Sequence, residues 1–74
     1  MNKKVILACG YIKEGYGYRK ETRNNTHWIT KFPGRKVQMY AYYGDREKIY
    51  DTGIISVNPE QLEMFINVLI TNHE

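Results

Sequence analysis

Cysteine is nearly absent from this 74-residue chain, where Cys9 stands alone. A single thiol closes no intramolecular disulfide, and neither a disulfide framework nor Cys/His metal-ligand spacing is present. That usage fits a reducing interior, and the expected compartment is the cytoplasm. Long apolar runs are missing as well. The longest near the start, Val5 to Cys9, follows Lys3 and Lys4 and superficially resembles a lipoprotein signal ending at a cysteine. It falls short of the roughly 7 to 15 apolar residues such a signal uses, and far short of the roughly 20 needed to span a bilayer. A buried β-strand is the expected reading, with no membrane partner. Also lacking are internal repeats, low-complexity tracts and linkers, so residues 1–74 are read as one small domain.

Catalytic constellations are equally scarce. His27 and His73 lie far apart on different elements, Ser56 has no identifiable base, and Cys9, placed in a buried strand, would be an inert thiol. Gly15-Tyr16-Gly17 is followed by neither Gly-Lys-Ser/Thr nor a helix signal, so it is a poor phosphate cradle. Asp45, Glu47 and Asp51, interleaved with Arg46 and Lys48, fit a self-compensated solvated turn better than a metal or acid–base site. No enzyme, cofactor or metal is expected.

What is present is best read from the far end. Asn58 is a natural N-cap, Pro59 suits the first helical position, and Gln61 completes a capping-box pattern, with Val57 and Leu62 forming a hydrophobic staple. Leu62, Phe65, Ile66 and Leu69 then recur at helical spacing, which predicts a helix to Asn72 with those four side chains in the core. Upstream, residues 4–12 read as strand one, apolar on both faces and therefore central in a sheet. Residues 13–25 lack apolar periodicity and read as a long polar surface loop with some hairpin character. Residues 26–32 form strand two, Pro33-Gly34 a type II turn, residues 36–43 strand three, residues 44–47 a polar turn, and residues 48–57 strand four, with Gly53 marking a bulge. The expected fold class is α+β: a small antiparallel sheet of about four strands in ββββα order, with a C-terminal helix packed across one face.

Charge is unevenly distributed. Residues 1–36 hold nine Lys/Arg against two Glu, whereas residues 37–74 hold two against six acids, within a net charge of +3. An anionic partner would therefore meet the first half. If the helix covers Val37, Met39 and Ala41, then Gln38, Tyr40 and Tyr42 face solvent, joined by Tyr50 and by Ile29 with His27 or Lys31. Trp28 is expected to anchor a core or interface.

Two functions fit this pattern. In the first, a non-enzymatic nucleic-acid-binding module, Lys13, Arg19, Lys20 and Arg23, with Lys31, Arg35 and Lys36, contact phosphates while Tyr16, Tyr18, Tyr40, Tyr42 and Tyr50 stack or pack. In the second, a protein-binding or inhibitor module, the same Tyr and Arg residues are interface anchors. The richness in Asn, Lys, Ile and Tyr is that of AT-rich coding, and the size suits a bacterial or phage accessory protein acting on a host protein. Self-association is a further expectation at this size, because a core this small supplies little net stability. Cross-strand tyrosines are also ordinary sheet stabilisers, so the aromatic pattern is compatible with a purely structural role.

Overall fold

The C-terminal helix begins where its capping chemistry dictates. In the computed structural model, which describes residues 2–74, Asn58 Oδ1 accepts from the Gln61 N–H at 2.9 Å and Gln61 Oε1 accepts from the Asn58 N–H at 3.2 Å. This closed capping box starts α2 (Pro59–Asn72). Leu62 and Ile66 are buried, Leu69 is half-buried, and Val57 joins Leu62 in the core as the staple requires. Phe65 departs from expectation, being 45% exposed beside Met64 and Val68. The face of α2 that meets the sheet runs through Leu62, Ile66 and Leu69, and Phe65 falls to one side of it.

The largest correction lies at the other end. Residues expected in a central strand instead form a two-turn helix, α1 (Asn2–Ala8), with Asn2 and Ile6 buried and Val5 and Cys9 packed against the core. Positions 2, 5, 6 and 9 share one helical face, whereas Lys3, Lys4, Leu7 and Ala8 are exposed. Gly10, at φ 94°, ends the helix as a C-terminal glycine does. Cys9 is accordingly half-buried at a helix end, where burial pushes its thiol pKa up.

The sheet has five antiparallel strands, not four, in the order β1-β2-β3-β4-β5. The supposed loop is a hairpin of β1 (Ile12–Glu14) and β2 (Gly17–Glu21), joined through Gly15 at φ 60° and Tyr16, the pattern of a type II′ turn. Then come β3 (Asn25–Lys31), β4 (Lys36–Tyr43) and β5 (Lys48–Ser56), close to the expected boundaries. Gly34 has the positive φ that its turn needs. In β5 the register slips twice against β4, once around Thr52-Gly53 and once at Ile49, so the expected bulge is present and a second accompanies it.

Both helices cover the same sheet face. Ile29, Val37, Met39 and Ala41 lie beneath them, almost wholly buried, with Tyr11 and Tyr18. Set into this apolar layer is His27, at 0% exposure. Its Nδ1 lies 2.7 Å from the Tyr50 hydroxyl and its Nε2 2.9 Å from the His73 carbonyl oxygen. A carbonyl only accepts, so Nε2 carries the proton and Nδ1 accepts from Tyr50, a fully satisfied neutral ring. Burial lowers the His27 pKa and raises that of Tyr50. Among the described residues no helix is long and apolar enough to cross a membrane.

Candidate functional site

The sheet face without helices is assembled by strand register. Across β1 to β5 one row runs Ile12, Arg19, Trp28, Tyr40, Asp51, and the row beside it runs Glu21, Thr26, Tyr42, Lys48. Three aromatic side chains, Trp28, Tyr40 and Tyr42, thus form a patch on adjacent central strands, each half-buried. Tyr40 and Tyr42 meet edge to face at 6.0 Å, and the Tyr40 hydroxyl lies 3.3 Å from Thr30 Oγ1. Gly17, opposite Thr30, permits a close backbone approach, since a Cβ there would sit only 3.1 Å from the Ile29 carbonyl oxygen, while its 3.6 Å to the Trp28 ring would be ordinary contact.

Two cations on this face, Arg19 and Lys48, are already partnered, whereas Lys36 and Arg46 form no ion pair among the described residues. The Arg19 Nε donates to Glu14 at 3.0 Å and its Nη1 pairs with Glu21, which holds the guanidinium firmly protonated. Lys48 lies 2.9 Å from Asp51 and about 6 Å from the ring centres of Tyr40 and Tyr42. Asp51 also accepts from Gln38 and from the Gly53 N–H. Led by the Gln38 hydrogen bond, these donors lower its pKa to about 2. An open groove of about 440 Å³ crosses the face between Trp28 and Tyr42 and the charged side chains of Glu14, Arg19, Asp45 and Arg46.

The expected site residues are dispersed by the fold. Tyr40, Tyr42 and Arg19 share the open face, with Lys36 at its end. Tyr50, Ile29, His27 and Lys31 belong to the opposite strand parity, so their assignment to the open face is corrected: the bulges in β5 turn Tyr50 inward to His27. Tyr18 is a core residue at 4% exposure, with Lys13 Nζ 5.1 Å from its ring centre. Lys20 also turns inward, its Nζ donating to the Cys9 carbonyl at 2.6 Å, where a cation stabilises the end of α1. Lys13 caps its own hairpin through the Gly15 carbonyl at 2.7 Å. Tyr16 projects from the β1–β2 turn at 96% exposure, and Arg23 is exposed between β2 and β3. Lys31, Arg35 and Lys36 flank the β3–β4 turn, at the opposite end of the molecule's strands from Arg23.

Trp28, expected as a core or interface anchor, is the site residue that sequence reasoning did not assign to the open face. Its alternation with Thr26 and Thr30, polar neighbours of the same parity, is the signal that sets it on the solvent side. Among the described residues no three His, Cys, Asp or Glu side chains gather as a metal site would require. No protein-family model matches this chain, and no curated protein or solved structure is significantly similar to it.

Proposed function

We propose that the protein is a non-enzymatic protein-binding module whose open sheet face receives its partner. The observation that carries this reading is the coincidence of an aromatic patch with cancelled charge. Strand residues on that face supply Arg19, Lys36 and Lys48 against Glu14, Glu21 and Asp51. A polyanion gains affinity by displacing counterions from unpaired cations, and there are few here to meet it. Tyr, Trp and Arg in a charge-compensated surround are instead the usual anchors of a protein interface. Two residues of the expected basic arm, Arg19 and Lys20, are held by glutamates and by a helix end.

A nucleic-acid-binding reading is kept as the second, for a specific reason. Trp28 enlarges the ring platform beyond the tyrosines, and bases stack on such rings for roughly 1 to 3 kcal/mol each. Filter binding of the wild type to generic single-stranded oligonucleotides over a salt series separates the two. The first reading expects weak binding with little salt slope. It further expects proteins captured by the wild type from extracts of the source cell to be lost with Trp28→Ala/Tyr42→Ala and retained with Lys31→Gln/Arg35→Gln. Tight oligonucleotide binding that falls steeply with salt would replace it by the second.

A further inference from the structure

The outer side of α2 carries an apolar strip that neither the sheet nor α1 covers. Leu62, Ile66 and Leu69 pack toward the sheet. On one flank of that line Glu63 meets α1, sharing a cleft with Lys4, Val5, Ala8 and Cys9. On the other flank Met64, Phe65 and Val68 are 67%, 45% and 55% exposed. Met64 and Phe65 each stand one helical turn from Val68, at i+4 and i+3 spacing, so the three side chains form one continuous surface. It lies on the helix layer and therefore away from the open sheet face.

Two properties of this strip point to a second copy of the chain as its occupant. First, it is free of charge: Gln61, Thr71 and Asn72, all exposed, continue it toward either end, and Glu60 and Glu63 lie off it. In a contact about a twofold axis each surface meets itself, so any charge upon it would be brought toward its own copy. The open face, by contrast, is laced with Arg19, Lys48, Glu14 and Glu21, the kind of pattern that selects an unlike partner. Second, the strip is self-complementary in register. Two α2 helices packed antiparallel, with the axis at the level of Ile66, set Met64 of one copy against Val68 of the other and Gln61 against Thr71. Apolar thus meets apolar, polar meets polar, and the two Phe65 rings fall side by side near the axis. The contact is small. A 14-residue helix is about 21 Å long, and a pair of them buries less than the roughly 1,200 Å² of a standard interface, which sets the expected Kd near ~0.1 mM.

We infer that the protein forms a weak twofold homodimer through the Met64, Phe65 and Val68 flank of α2. The contact leaves both open faces uncovered and does not depend on what they bind. The test is sedimentation equilibrium of the full chain from about 20 μM to about 1 mM, with amide shifts followed by NMR over the same range. The mass should rise toward that of two chains, and shifts should move with concentration in residues 61–72 while the Trp28 indole and α1 stay fixed. Because each copy carries a net charge of +3, added salt should leave the association unchanged or tighten it. Val68→Glu should weaken dimerisation about tenfold or more with a Tm near wild type, since more than half of that side chain is in solvent. Met64→Lys, at a still more exposed position, should do the same and serves alone if the first variant does not fold. Mixing the two variants should restore association in the mixed pair, where the antiparallel register brings the two introduced charges together. A chain that stays monomeric up to about 1 mM, association that survives Val68→Glu, or mixed variants that associate no better than either alone would each overturn the proposal. So would a monomeric chain whose flank captures an unlike protein in a Val68-dependent way, since the strip would then have a different occupant.

Discussion

The two faces of β3 and β4 are made by alternate residues of the same strands, yet they are governed by different physics. Ile29, Val37, Met39 and Ala41 lie under α1 and α2, where burial of apolar surface sets their energetics. One residue away in each case, Trp28, Gln38, Tyr40 and Tyr42 remain half-exposed, and their neighbours are ion pairs. The comparison teaches that the aromatic content of this chain is divided by role. Tyr11, Tyr18 and Tyr50 serve the covered face, whereas Trp28, Tyr40 and Tyr42 furnish the uncovered one.

The sharpest way to break this division is to truncate across it. Ile29→Ala should cost about 2 to 5 kcal/mol by cavity formation, enough to unfold much of so small a domain. Tyr40→Ala, one strand away on the open face, should leave a cooperative urea transition and remove partner binding. Comparable losses of stability in the two variants would erase the distinction. Phe65→Ala belongs on the mild side of the comparison despite its size, since nearly half of that ring is in solvent.

The next effect exploits His27, the polar residue sealed most completely into the covered face. The unfolded chain takes up a proton at His27 near pH 6.5, while the folded pKa is lower, so the unfolded state binds the proton first. Stability should therefore be full above that pH and decline as pH falls below it, until the folded pKa is reached, with a limiting slope of about 1.4 kcal/mol per pH unit. The hydrogen bond to the His73 carbonyl opposes this shift, whereas the charges of the His73 side chain and of Lys20, paired with His27 across the strands, add to it. Urea midpoints measured from pH 7.5 to 5 should show this slope in the wild type and lose it in His27→Gln. A slope that survives the substitution would locate the acid sensitivity elsewhere.

Smaller again is the cap. Asn58→Ala removes the acceptor for the Gln61 N–H and should cost about 0.5 to 2 kcal/mol, read as a lowered Tm. The smallest effect is expected on the uncovered face, where Asp51 is solvated. Its carboxyl signal should titrate near pH 2 in the wild type and move upward in Gln38→Ala, with the melting curve nearly unmoved. A large loss of stability in that variant would mean that the open-face network organises the sheet.

How much of this was legible beforehand follows the same division. The α2 cap was readable because Asn58, Pro59 and Gln61 each act on their own backbone, and β4 was readable because Val37, Met39 and Ala41 alternate with polar or aromatic neighbours. The segment Val5 to Cys9 was misread because five consecutive apolar residues carry no period, so strand and helix templates fit equally; Asn2 and Gly10, at the two ends, were the informative residues. The β1–β2 hairpin was taken mostly for loop because an edge hairpin with one charged face needs only Tyr18 in the core. At the candidate site, Tyr40 and Tyr42 were placed on the open face by parity, whereas Arg19, read as part of a loop, was not. Tyr50 was misplaced there, because the phase of β5 after two slips is fixed by its pairing partner and not by its own sequence.

Those two slips in β5 also bear on how the molecule behaves in a crowded solution. An open sheet grows into fibrils when a long, regular edge offers its unpaired N–H and C=O groups to another chain. Here one edge, β1, is three residues long, and the other is interrupted at Ile49 and again at Gly53, which takes φ 68°. Neither presents an in-phase ladder long enough to template an incoming strand. The irregularity that hid Tyr50 from sequence reading thus doubles as protection against edge-to-edge aggregation, leaving the aromatic patch free to be sticky only face-on.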